Sequence, residues 1–272
     1  MEEKMDGLGR LEKKRILVAE DVEMNQFLAK EILESCGVEV FIANNGIEAL
    51  RLLENDFFDC ILMDIQMPEM DGIEATRQIR KLRDPGKAGV PIIAVTANVQ
   101  HEDICKYKAA GMNDFLAKPF DEPALIRVIF RNDIGNSGRD QDHKPNSETQ
   151  LNSRETVNGE GKLYDLSMIQ SVSGGDEEFI KKMIVLFIET VPNNLREMSE
   201  AVGCQNWDLA GKMAHKLKST IDSMGIKSLR DQIRKIESHC KQQIHLEEVP
   251  GLVSESERVI SSCIHQLRAG LL

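Results

Sequence analysis

Cys60, Ile61, Leu62 and Met63 form an apolar run that ends on an acid, Asp64, within CILMDIQMPEMDG. An acid at the mouth of such a run calls for a compensating cation, because an unpaired buried charge is expensive. Two more acids, Glu20 and Asp21, close the run RILVAED. If the two runs are neighbouring parallel strands, three carboxylates share a small volume and repel one another unless a cation intervenes. A hard, oxygen-ligated divalent ion such as Mg2+ suits that donor set, since it keeps several waters and leaves room for a phosphoryl oxygen. Thr96 in VTAN and Lys118 in AKPF close two further runs and bring a hydroxyl and an ammonium to the same edge. A carboxylate nucleophile, a metal, an ammonium and a hydroxyl together predict phosphoryl transfer, where positioning and charge neutralisation supply most of the catalysis. The plainer reading, that an acid only ends a strand or caps a helix, is taken for Asp71, an N-cap ahead of Gly72.

The elements that must hold these residues are legible from periodicity. Between Arg15 and Asn132, apolar runs at 15–21, 38–43, 59–65, 91–97 and 113–119 alternate with amphipathic stretches near 24–36, 46–55, 73–82, 100–110 and 121–131. Continuous apolar strands alternating with helices predict a five-stranded parallel sheet covered on both faces, an α/β, doubly wound, flavodoxin-like domain over 15–132. Ligands of such a sheet bind at the carboxyl ends of its strands. Residues 1–14 read as an N-terminal extension. The stretch 133–162 is almost free of large apolar residues and reads as a flexible linker. A coil of that length spans roughly 30 Å.

From 163 to 272 no strand pattern is present. Helical periodicity over 177–201, 206–223, 226–241 and 247–270 predicts an all-α second domain, a four-helix bundle. Pro192 is expected to bend its first long helix. In AGKMAHKLKSTIDSMG (210–225), Ala210, Met213, Ala214, Leu217, Ile221 and Met224 share one stripe. His215 lies roughly 150° from the centre of that stripe, at about 100° per residue, so it is expected to face solvent. A neutral imidazole is a competent nucleophile at neutral pH. Lys218, one turn on, would neutralise a phosphoryl group placed there, and Gly211 would leave access for a partner. The spacing is wrong for metal binding by His215, since Ser219 stands at i+4.

Residues 15–131 closely resemble the receiver domain of two-component response regulators. The resemblance rests on the acid pair of VAEDVEMN, the Asp of ILMDIQMPEMDG, the Thr of AVTAN, and the Phe and Lys of MNDFLAKPF. It implies that Asp64 becomes a phosphoaspartate, and that Asp21, Asp64 and the backbone carbonyl of Gln66 ligate Mg2+ with Glu20 in support. It also implies that Thr96 and Phe115 act as switch residues, Thr96 moving to the phosphoryl group and Phe115 turning inward. Val22 departs from the Asn common after the acid pair. AHKLKST resembles the signature of histidine phosphotransfer (HPt) domains, with a likeness covering about 165–270. That implies a phosphorylatable His215. Ser219 replaces the Gly that commonly follows the lysine, where it would either crowd an incoming receiver or add a hydrogen bond to the phosphoryl group.

The expected function is therefore a phosphorelay: Asp64 accepts a phosphoryl group from a sensor histidine kinase and relays it to or from His215 and a downstream response regulator. The arrangement also resembles the carboxyl-terminal part of hybrid sensor kinases. No ATP-binding segment is visible, which leaves a stand-alone relay or a fragment of a hybrid kinase. The linker adds the expectation of receiver–HPt docking and transfer within one chain, at an effective concentration on the order of mM. Two alternatives remain: a phosphoaspartate-forming hydrolase, disfavoured by Gln66 where such enzymes carry a second acid, and a receiver fused to a non-phosphorylated helical scaffold. The 272 residues carry a net charge of −11, which argues against a nucleic-acid partner. No stretch approaches the roughly 20 apolar residues of a membrane span, and the start MEEKMDGLGRLEKKR has no signal-peptide core. Six scattered cysteines without a C-x-x-C pair read as reduced thiols of a cytoplasmic protein.

Overall fold

The computed structural model describes residues 11–97, 100–132 and 162–271. Residues 1–10 of the expected N-terminal extension and residues 133–161 of the expected linker lie outside the described residues. The first half is a five-stranded parallel sheet in the order β2-β1-β3-β4-β5. Its strands are β1 (Arg15–Ala19), β2 (Glu39–Ala43), β3 (Cys60–Asp64), β4 (Ile92–Thr96) and β5 (Asp114–Ala117). Every residue of β3 and β4 is buried, as strands covered by helices on both faces require. The covering helices are α1 (Glu23–Ser35), α2 (Gly46–Asn55), α3 (Gly72–Ile79), the short α4 (Pro85–Ala88), α5 (His101–Ala110) and α6 (Glu122–Arg131). Asp71 does cap α3, accepting a hydrogen bond from the backbone N–H of Glu74 at 2.8 Å. The sequence pattern did not reveal α4, which is a single turn too short for any periodicity.

Strand register decides where the acids meet. Ala19 pairs with Met63, Asp64 with Val95, and Thr96 with Ala117. Glu20, Asp21, Asp64, Thr96 and Lys118 therefore leave their strands at one edge. The strand order reverses between β1 and β3, which opens a crevice at their carboxyl ends. Gly72 permits the tight return from β3, because a Cβ there would collide with the carbonyl oxygen of Asp64.

The second half is helical: a short α7 (Ser167–Val172), then α8 (Glu177–Gly203), α9 (Trp207–Ser223), α10 (Lys227–Gln242) and α11 (Val249–Leu271). Asp176 starts α8 by accepting from the N–H of Glu178, and Asn206 starts α9 by accepting from that of Leu209. Helix α9 packs on α8 and α10, and α11 closes the ring against both, which makes the expected four-helix bundle. The stripe from Ala210 to Met224 forms part of its core, all six residues being buried. Helix α8 runs through Pro192 without ending there.

The two halves touch. Helix α1 of the sheet domain packs against α8 and α9 of the bundle. The rings of Phe27 and Phe179 stack across the contact, with centroids 5.5 Å apart. The apolar cluster on one face of the sheet continues through this contact into the bundle core.

Candidate functional site

At the sheet edge, Lys118 Nζ donates to Asp64 Oδ2 at 2.7 Å and to Glu20 Oε2 at 2.5 Å. The three side chains are 9%, 5% and 4% exposed, so the ammonium is the counter-charge that an acid ending an apolar run requires. Burial works against the Lys118 cation, but the charges of Asp64 and Glu20 outweigh it and hold its pKa above the ordinary lysine value. Burial pushes the Glu20 carboxyl up, opposed by Lys118 and reinforced by the negative charge of Asp64. Asn25 Nδ2 and the N–H of Val22 both donate to Glu20 Oε1, so this acid is tied to the start of α1 as well. The backbone N–H of Gln66 donates to Asp64 Oδ1 at 3.2 Å. Thr96 is buried and shares a 3.2 Å hydrogen bond with the Tyr107 hydroxyl. Phe115 is half-buried against the apolar core that includes Tyr107.

One oxygen from each of Glu20, Asp21 and Asp64 lies within 4.8 Å of the others, close enough for a single ion. Asp21 Oδ1 is buried and has no hydrogen-bond partner, the condition of a carboxylate oxygen awaiting a cation. The donor set therefore fits a hard divalent ion.

His215 departs from the sequence expectation. Its side chain is 18% exposed, and it faces the sheet domain instead of open solvent. Nδ1 lies 2.7 Å from Glu237 Oε1 on α10. Burial would raise the Glu237 pKa, but hydrogen bonds from His215, Lys218 and Lys241 outweigh it and hold the carboxyl well below its ordinary range. An ionised carboxylate only accepts, so Nδ1 carries a proton, and in the neutral ring the lone pair is on Nε2. Lys218 Nζ, 2.8 Å from Glu237 Oε2, is 3.4 Å from Nδ1, a close neighbour and not a second bond to it. Lys241 Nζ binds Glu237 Oε1 at 2.7 Å and reaches Gln66 Oε1 of the sheet domain at 3.3 Å.

A cavity of about 750 Å3 joins the two chemistries; Asp64, Thr96, Lys118, His215, Lys218 and Glu237 are among the residues that line it. Its walls come from both halves of the chain.

One expectation about the neighbours of His215 changes, and a second residue gains a contact. Gly211 is buried, and a Cβ there would stand 3.2 Å from Cys240 Cβ, so its smallness serves the approach of α10 to α9 and not access by a partner. Ser219 Oγ accepts from Asn25 Nδ2 of the sheet domain at 3.1 Å, a docking contact.

Residues 16–130 match the family described as response regulator receiver domain, and residues 182–270 match the Hpt domain. The chain joins a receiver domain to an Hpt domain. Both domain types are those of two-component phosphorelays.

Its relatives include the aerobic respiration control sensor protein ArcB of Escherichia coli K12, 29% identical over 224 residues, which are 82% of this chain and 27% of that one. Another is the sensory/regulatory protein RpfC of Xanthomonas campestris pv. campestris, 26% identical over 219 residues, 80% of this chain and 29% of that one. The chain thus spans between a quarter and a third of the length of these relatives. Among solved structures, the receiver domain of sensor histidine kinase PA1611 from Pseudomonas aeruginosa PAO1, with a magnesium ion in its active site cleft, is 42% identical. That likeness covers 44% of this chain and 96% of the other, with a TM-score of 0.41. Among the described residues no helix is long and apolar enough to cross a membrane, and all six cysteines are free.

Four residues of the site were not singled out from the sequence: Glu237, Lys241, Lys216 and Asn25. Glu237 had a usable signal. It stands among Ile233, Ile236 and Cys240 on the buried side of α10, an acid in apolar company as Asp64 is. The other three carry no such signal: Asn25 and Lys241 bond to Glu20 and Glu237 within their own domains, and docking adds Ser219 and Gln66 as partners and brings Lys216 to Asp21.

Proposed function

We propose that Asp64 and His215 exchange a phosphoryl group across the cavity they share, Asp64 drawing on the phosphohistidine of a sensor histidine kinase and His215 serving a downstream receiver. The observation that carries this reading is the facing, in one cavity, of a cation-neutralised carboxylate and an imidazole whose Nδ1 is turned to Glu237. In the forward step the Nε2 lone pair attacks phosphorus while the bond from phosphorus to the Asp64 oxygen breaks. The bonding pair returns to the Asp64 carboxylate, and the proton on Nδ1 stays directed at Glu237. The reverse step runs with the roles exchanged, and net flow follows the supply of donor.

Lys118 and the Thr96 hydroxyl would bind phosphoryl oxygens at Asp64, and Lys218 would offset their charge at His215. Phe115 would follow Thr96 as the switch. Glu20, Asp21, Asp64 and the Gln66 carbonyl would hold Mg2+, which when bound neutralises phosphoryl charge as a Lewis acid. The receiver at 15–132 would end just after α6 (Glu122–Arg131), and the Hpt half at 163–272 would begin just ahead of α7 (Ser167–Val172).

The test is phosphorylation of the full chain with Mg2+ and a small phosphodonor, then mapping of label by its stability to base, which cleaves an acyl phosphate and spares a phosphoramidate. Wild type is expected to label at Asp64 and His215, His215→Gln at Asp64 alone, and Asp64→Asn at neither. No label on His215 in wild type would overturn the reading. Mixing Asp64→Asn with His215→Gln over a range of concentrations separates the routes. Transfer in wild type that dilutes away as fast as transfer between the variants would reject the intramolecular one.

A further inference from the structure

Lys216 follows the histidine, but its ammonium serves the other domain. Nζ lies 3.2 Å from Asp21 Oδ2, with the lysine side chain 25% exposed and the aspartate 6%. Asp21 is one of the three acids whose oxygens gather within 4.8 Å, and its other oxygen, Oδ1, is buried without a partner. One carboxylate oxygen therefore anchors the docked helix while the other stays open to a cation.

An ammonium and a divalent ion on the two oxygens of one carboxylate repel, and the repulsion is strong where water is excluded. Three carboxylates face two ammonium groups, Lys118 and Lys216, when the domains are docked, and one when they part. The attraction of the acid site for a cation is weaker in the docked form by that one charge.

We infer that Lys216 couples docking of the Hpt domain to divalent-cation binding at Glu20, Asp21 and Asp64, so that each weakens the other. The inference rests on the relay reading only in taking Mg2+ as the cation. By linkage the coupling is reciprocal: the factor by which docking weakens Mg2+ binding equals the factor by which Mg2+ weakens docking. A receiver that has lost its cation keeps the Hpt domain on its acid face. One that has gained it holds α9 less firmly, so that Asp64 is open to an outside partner for more of the time.

Mg2+ binding to the full-length unphosphorylated chain is measured by calorimetry for wild type, Lys216→Met, Lys216→Arg and Phe27→Ala. Lys216→Met is expected to bind on the order of tenfold more tightly, within the usual range of such couplings. Lys216→Arg restores the wild-type affinity. Phe27→Ala, which weakens docking without touching the acids, moves toward Lys216→Met. A second readout needs no variant: acylation of the Lys216 amine in wild type, followed by mass spectrometry, is expected to quicken when Mg2+ is added. Equal or weaker Mg2+ binding by Lys216→Met would overturn the inference, as would Lys216 labelling indifferent to Mg2+. Loss of phosphoryl label on His215 would refute the relay and leave these titrations standing, so the two failures are distinguishable.

Discussion

Removing Glu237 probes how the Hpt histidine is prepared for attack. Its carboxylate accepts from His215 Nδ1 at 2.7 Å, with side-chain exposures of 18% for the ring and 10% for the acid. A hydrogen bond to a charged group is worth about 1.5–3 kcal/mol net. Partial exposure of the ring brings the figure down to about 1–2 kcal/mol. At about 1.4 kcal/mol per factor of ten, the tautomer with its proton on Nδ1 is favoured by roughly five- to thirtyfold. In Glu237→Ala that bias disappears, and part of the histidine carries its proton on Nε2, where it cannot attack. Through the loss of about half the competent tautomer, phosphoryl transfer from a phosphorylated receiver is expected to slow roughly twofold. Glu237→Gln, whose amide oxygen still accepts, should slow it less. Quench-flow transfer rates supply the kinetics, and 15N chemical shifts of the His215 ring supply the tautomer ratio. Urea denaturation of each variant separates these effects from lost stability. The same tautomer ratio in Glu237→Ala and wild type, or a wild-type proton found on Nε2, would refute the reasoning.

The pH dependence of stability should carry the mark of the same residue. The Glu237 pKa is depressed in the folded chain, so its stabilisation is complete above the ordinary carboxylate value near ~4.3 and is lost as pH falls below it toward the folded value. The stability gap between wild type and Glu237→Gln is therefore expected to be constant from pH 7 to 5 and to shrink below, by urea titration at each pH. A gap that widens on acidification would contradict the assignment. Gly72→Ala places a methyl against the Asp64 carbonyl oxygen, and is expected to cost the receiver about 1–3 kcal/mol or displace β3 from the acid site; calorimetric melting of the full chain checks it. Phe27→Ala removes the stack on Phe179, worth about 0.5–1.5 kcal/mol beyond its buried area. It should enlarge the particle seen by small-angle scattering and make transfer to His215 more dependent on concentration, and an unchanged scattering profile would count against the docked arrangement.

What the amino-acid sequence determined by itself is the chemistry at each end of the relay. Asp64 and Lys118 stand out because a charge closing an apolar run is costly, and that cost is written into neighbouring residues. The alternation of apolar runs with amphipathic stretches likewise gives five parallel strands, and strand ends alone bring Glu20, Asp21, Thr96 and Lys118 to one edge. His215 is legible as an odd residue on an otherwise regular helix. Its surroundings are not. Placed by the helical wheel toward solvent, it lies beneath the receiver, because α1 packs on α8 and α9 and turns that surface into a cavity wall. Lys216 on Asp21, Lys241 on Gln66 and Ser219 against Asn25 are pairings between residues 175 or more positions apart in a chain whose local patterns give no sign that they meet. Side-chain periodicity reports which face of an element is apolar; it carries no information about which polar face meets which, and that choice is made only when two finished surfaces come together.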